Sequence, residues 1–266
     1  MFLYHSLPPY GLLAVSDQTT ELVKKISIGA AVILFLAILT IAFVGKKREN
    51  RGKLGAKRVA LAGMCLGLSF ALSYLKVSPV TSGGSVTLAS MAPLLLYAFF
   101  YGVADGLLVG FIFGLLNFIS SPWILTPMTF VLDYLLAYGS IGLIGFAGKW
   151  RLKNKSTVPE NTKIETAEPV NSVQPKKERT DVLPIVLGTL LVYAARFCFH
   201  LFSGIIYFAE NSIWVKFPDW ALANGFVYSF IYQCLYLPLD CVITLTVLFI
   251  LAKTGVTKRL RAVMLK

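Results

Sequence analysis

An all-α membrane protein is predicted, with a six-helix core and one extra transmembrane helix at its N-terminal side. Three observations carry this. The 266 residues are 56% hydrophobic and only 14% charged, well short of the roughly 25% charged residues of an ordinary soluble domain. Apolar runs long enough to be helices recur along the chain. The net charge of +12 is not spread but gathered between those runs: seven basic residues in Lys46–Arg58, eight in Lys149–Arg179 and five in Lys253–Lys266. That clustering is the positive-inside pattern of a polytopic protein, and it argues against a nucleic-acid partner as the reason for the basic balance.

Met1 to Ser27 is mixed and lacks a small-residue cleavage site behind a short apolar core, so a removable signal peptide is not expected. Ile28–Gly45 reads as the extra span. Lys24 and Lys25 precede it and the larger basic cluster follows, which sets its N-terminus outside. The core then reads as Val59–Leu75 running outward, a Ser/Gly/Thr/Pro-rich loop at Lys76–Val86, and Thr87–Tyr101 running inward. A turn at Gly102–Gly106 leads to Leu107–Ile119 running outward and Pro127–Gly148 returning. The third and fourth runs are short against the roughly 20 residues of a full crossing, which suggests tilt, a kink at Pro93 or a partly interfacial position. Residues 151–181 mix Pro, Lys, Glu, Thr and Asn without apolar periodicity and read as a flexible cytoplasmic linker. Val182–Tyr207 and Leu222–Ala252 are the last two spans, joined by an external loop with Trp214 and Trp220. By domain the chain divides into 1–55, 56–150, the linker and 182–266.

Within these runs the ionisable residues are the functional suspects, because a charge inside the bilayer is costly and normally faces a cavity or a partner. Ala194–Phe208 holds Arg196 and His200, and Arg196, His200, Gly204 and Phe208 share one helical face at four-residue steps. At a rise of 1.5 Å per residue, Arg196 lies about 10 Å from the outer surface and Asp133 about 9 Å from it. Asn117 and Tyr228 fall at a similar depth, and Gln233 lies nearer the midplane. Polar groups from four helices thus meet in the outer half, the expected shape of a pocket loaded from outside. Asp133 and Arg196 can be a structural pair that locks two helices, or Asp133 can oppose a cationic or amino-bearing ring with Tyr134, Tyr138, Tyr207, Phe208, Tyr228 and Tyr232 supplying aromatic faces. Gly63, Gly67 and Ala71 leave one face of the first core helix smooth, for internal packing or for a partner helix. The four cysteines read as small core residues, without zinc or disulfide spacing. No metalloprotease, hydrolase or phosphate-loop motif is present, so the chain is not expected to be an enzyme, and a transporter of this composition must borrow its energy.

Leu132–Gly148, Leu187–Phe208 and Val227–Pro238 resemble the thiamine-specific S component of energy-coupling-factor vitamin transporters, over roughly residues 56–252. The resemblance implies a six-helix membrane-embedded protein that captures thiamine, or a close relative of it, from outside. It implies no cofactor of its own; a shared transmembrane coupling subunit and two ATP-binding subunits drive transport. It places the family's acidic-tyrosine pair on Asp133 and Tyr134, its histidine on His200, its Tyr-Ser on Tyr228 and Ser229, and the basic residue before the histidine on Arg196. Asp133 stands where the family usually has Glu, Phe208 where it has a stacking Trp, and Gln233 where it has Asn. Gly63, Gly67 and Ala71 fall where the family carries its docking motif. Asp133, Tyr134, His200, Phe208, Tyr228, Gln233, Asn117 and Tyr207 are then expected to bind substrate, with Arg196, Gly204 and Ser229 as structural or pocket-wall residues. The other readings are a capture subunit for riboflavin or a pyrimidine precursor, a membrane enzyme with His200 as general base, or a non-transport scaffold.

Overall fold

The computed structural model describes Lys25 and residues 55–79, 84–122, 126–156, 181–209 and 224–265. The extra span at Ile28–Gly45, the loop carrying Trp214 and Trp220, and most of the linker lie outside the described residues. Five described helices are long and apolar enough to cross a membrane, so the chain is a multi-pass membrane protein.

Helix α1 (Ala56–Ser73) is peripheral, with Ser69 its one buried residue and Val59, Met64 and Leu68 exposed. It is tied to the bundle at its start. Arg58 is ion-paired with Asp105, lies over the Tyr101 ring at 5.0 Å and donates to the Tyr101 carbonyl at 3.4 Å.

The loop expected after α1 is a small antiparallel hairpin, β1 (Lys76–Pro79) and β2 (Ser85–Thr87), with Lys76 opposite Thr87 and Ser78 opposite Val86. Val77, Val86 and Thr87 favour extended backbone, which the many turn-forming residues of the stretch conceal. The expected span Thr87–Tyr101 is correspondingly shorter. Thr87 belongs to β2, and α2 (Ala92–Tyr101) begins only at Ala92. Pro93 sits in its first turn, where a missing N–H costs nothing, and starts the helix instead of kinking it. Seven of the ten residues of α2 are buried, with Leu94, Leu95 and Ala98 wholly enclosed. The turn expected over Gly102–Gly106 is a single residue, Gly102, whose φ of 94° only glycine adopts readily. Helix α3 (Val103–Ser120) starts immediately after it.

Helix α4 (Pro127–Trp150) is one span of changing pitch. A reciprocal capping box between Thr126 and Thr129 opens it, a π-helical stretch occupies Val131–Leu136, and a 3₁₀ turn occupies Ser140–Leu143. Helix continues to Ser156, six residues into the expected linker. Helices α3 and α4 touch backbone to backbone. A Cβ on Gly106 would meet the Gly142 Cα at 2.7 Å, and Cβ atoms on Gly110 and Gly114 would strike the carbonyl oxygens of Tyr138 and Tyr134. Among the described residues α3 thus makes close small-residue contacts, whereas at Gly63 and Gly67 an added Cβ would meet no described atom within 4 Å. Internal packing of the Gly63 face is thereby set aside among the described residues.

Helices α5 (Val182–Ala209) and α6 (Gly225–Lys253) form the most extensively packed pair. Gly204 permits the approach, since its Cβ would strike the Ser229 hydroxyl. Asn224 caps α6 by accepting from the Val227 N–H at 2.8 Å. After Gly255 (φ 74°) the basic helix α7 (Val256–Leu265) follows. Cys241 is buried and Cys65 and Cys198 are half-buried, whereas Cys234 is exposed and so is no core residue.

Candidate functional site

The π-helical stretch of α4 carries Asp133, and the wider turn re-aims its side chain toward α5, a common use of such bulges at functional sites. One Asp133 oxygen lies 2.8 Å from His200 Nδ1 and the other accepts from the Ser203 hydroxyl at 2.5 Å. His200 and Ser203 are three residues apart on α5 and so share a face. Asp133 is only partly enclosed, with its side chain 17% exposed.

The protonation of this cluster follows from a neighbour. Arg196 Nε lies 3.3 Å from His200 Nε2, and a guanidinium N–H can only donate. Nε2 must therefore be the bare, accepting nitrogen, and the ring proton sits on Nδ1, donated to Asp133. In this tautomer His200 is neutral, and Asp133 faces the His200 Nδ1–H with one oxygen and the Ser203 hydroxyl with the other.

Arg196 does not pair with Asp133, the structural alternative that their equal depth suggested. Its carboxylate is Asp240 of α6, 3.4 Å from Nη1, while its guanidinium lies over the Tyr138 ring at 4.8 Å and donates to Met91 Sδ at 2.9 Å. Asp240 is 3% exposed and saturated with donors. The Thr87 N–H and hydroxyl both reach Oδ1 at 3.0 Å, and the Tyr193 hydroxyl reaches Oδ2 at 2.8 Å. The charges of Arg196 and Asp240 cancel. Among the described residues Asp133 is bonded by His200 and Ser203, and no Lys or Arg side chain is paired with it.

Other expected site residues divide. Gln233 joins the cluster: its Nε2 donates to the His200 carbonyl at 3.1 Å, and its Oε1 is buried without a described partner. Ser229 donates to the Leu201 carbonyl at 2.7 Å and fixes the α5–α6 contact beside Gly204. Tyr228 is buried and stacked on Tyr232, with ring centroids 6.4 Å apart and planes 13° from parallel. Tyr134, expected beside its neighbour Asp133, points the other way. Its hydroxyl donates to the Ser121 carbonyl at 2.9 Å and its ring packs on Phe118 and Phe130, because adjacent helical residues diverge by about 100°. Asn117 donates to the Phe113 carbonyl of its own helix at 2.9 Å and stays half-buried. Tyr207 is half-buried near the outer end of α5. The side chain of Phe208 lies outside the described residues.

Five residues that complete the cluster were not expected: Asp240, Ser203, Tyr193, Thr87 and Met91. Asp240 carried the same signal as Asp133, a carboxylate in an apolar run, and Ser203 lies on the His200 face. Nothing local marks Thr87 or Met91.

Residues 59–259 match the family described as thiamine transporter protein (Thia_YuaJ). The chain belongs to this family. It is also 31% identical over 175 residues to the thiamine transporter ThiT of Bacillus subtilis (strain 168), covering 64% of this chain and 77% of that protein. A solved structure of ThiT from Listeria monocytogenes shares the fold, with a TM-score of 0.55 at 16% identity over 74% of this chain and 94% of that one. Membership makes the chain a transport protein and not an enzyme, in keeping with the all-helical membrane architecture.

Proposed function

We propose that this chain captures thiamine from outside the cell as the substrate-binding subunit of an energy-coupling-factor importer. The observation that supports this best is the Asp133 carboxyl group, which no Lys or Arg side chain among the described residues pairs with. A net charge held at membrane depth is costly, and thiamine, with one fixed positive charge and an amino-bearing pyrimidine, neutralises it on binding. The stacked Tyr228 and Tyr232 offer aromatic faces for a flat cationic ring. The bare Gln233 Oε1 offers an acceptor. Titration of the purified full chain with thiamine, riboflavin and the isolated aminopyrimidine tests the reading. Tight binding of thiamine alone is expected. Absence of thiamine binding, or a preference for the neutral ligands, overturns it.

Gln233→Met probes the acceptor. Met removes the unpartnered oxygen together with the Nε2 donor to the His200 carbonyl, so the two roughly offset and the ligand-free protein keeps its heat stability, while thiamine affinity falls about tenfold if that oxygen receives a ligand donor. A thermal melt and a titration on the same preparation separate the two effects.

For the partners, a shared coupling subunit and two ATP-binding subunits, the support is the exposed face of α1. Gly63, Gly67 and Ala71 are open, with no described side chain against the two glycines, which suits close approach of another helix. Gly67→Trp is expected to leave thiamine binding intact and to abolish both co-purification with the partner subunits and uptake by vesicles. Normal assembly of that variant removes the docking role from this face.

A further inference from the structure

Asp240 touches nothing that the proposed ligand need touch, yet it stands where two parts of the molecule meet. On one side it holds Arg196, and Arg196 in turn donates to His200 Nε2 and thereby selects the tautomer that donates to Asp133. On the other side both donors of Thr87 end on its Oδ1. Thr87 closes the β1–β2 hairpin, and the Ser90 hydroxyl, 2.7 Å from that of Thr87, continues the network toward α2. The hairpin has a second attachment to α6, where the Gly84 N–H donates to the Tyr232 hydroxyl at 3.0 Å. Tyr232 and Asp240 are eight residues apart, about 12 Å along the helix. The hairpin therefore lies along the α6 face that also carries Tyr236, whose ring centroid is 6.4 Å from that of His200.

We infer that Asp240 is a positioning residue for ligand capture, setting the His200 tautomer through Arg196 and seating the hairpin through Thr87. One buried carboxylate thus fixes the donor that prepares Asp133 and the chain segment beside the pocket. Disturbance of Asp133 by a ligand reaches Thr87 through four consecutive polar contacts, and disturbance of His200 through three. The ligand consequences rest on the thiamine reading of the Asp133 pocket; the effects on the ring and the hairpin do not.

The full chain, labelled with ¹⁵N-histidine, carries only His5 and His200, so a His5→Gln background leaves a single ring to observe. In the parent protein the Nε2 resonance is expected at the unprotonated position. In Asp240→Asn the signal moves toward the value of mixed tautomers, amide exchange over residues 84–90 accelerates, and thiamine dissociates about tenfold faster. A purely structural carboxylate would leave the ring signal unmoved. If Asp240→Asn does not fold, Arg196→Met with Asp240→Leu replaces it, since apolar pairs of similar volume commonly preserve stability where a broken ion pair does not. There the ring is freed by loss of Arg196 itself, and the faster hairpin exchange is the change that reports on Asp240. An unchanged His200 resonance together with unchanged hairpin exchange in the folded variant overturns the inference, whatever the ligand. Failure of the parent protein to bind thiamine overturns the functional proposal alone, and the ring and hairpin measurements still decide the role of Asp240.

Discussion

Asp133→Asn is expected to weaken thiamine binding roughly a hundredfold or more while leaving the helical bundle intact. The substitution keeps the size of the side chain and an oxygen for the His200 Nδ1–H, so packing is little changed. What disappears is the carboxylate that the thiamine reading sets against the cationic ring. Loss of one member of a desolvated charge pair costs about 2–5 kcal/mol, and each 1.4 kcal/mol is tenfold in affinity. Asp133→Glu, which keeps the carboxylate and lengthens its reach by one methylene, is expected to retain binding. Calorimetric titration of the three proteins checks the order. Equal affinity of the Asn variant and the parent would show that the carboxylate meets no cation.

Gly110→Leu is expected to have the largest effect on folding. The added Cβ would run into the Tyr138 carbonyl oxygen and lie 3.1 Å from the Gly139 Cα. Both obstacles are backbone, which cannot turn aside as a side chain does. Overpacking of cores typically costs about 1–3 kcal/mol, and a rigid contact belongs at the upper end or beyond, against a total stability of order 5–15 kcal/mol. The readout is the yield of monodisperse protein and its melting temperature in detergent. Gly67→Leu, on the open face of α1, is the control and is expected to behave as the parent.

The spans were legible because bilayer thickness imposes a length and a composition on any crossing helix. Val182–Tyr207 was read to within two residues of its structured end, and Pro127–Gly148 to within two residues of the apolar span, although that helix runs on to Ser156. The hairpin was not, because seven strand residues among Gly, Ser, Thr and Pro give no periodicity to detect. Depth arithmetic placed Asp133 and Arg196 at one level but could not give their azimuths. The partner of Arg196 was therefore open until α6 brought Asp240 against it. Asp240 itself was readable by the rule that singled out Asp133. Asp133 and Tyr134 are neighbours in sequence, and only the rotation of the helix shows that one faces α5 and the other α3.

The shortness of α2 bears on how the protein enters the bilayer. Ten residues rise only about 15 Å, half the hydrocarbon thickness. Such a segment is poorly suited to integrate by itself as it leaves the insertion machinery. Gly102 joins it to α3 through a single residue, so the two are suited to partition as one helical pair, with the longer member carrying the shorter. The enclosed core is then completed only when α5 and α6 arrive, since Val192, Phe199, Tyr232 and Leu248 belong to it.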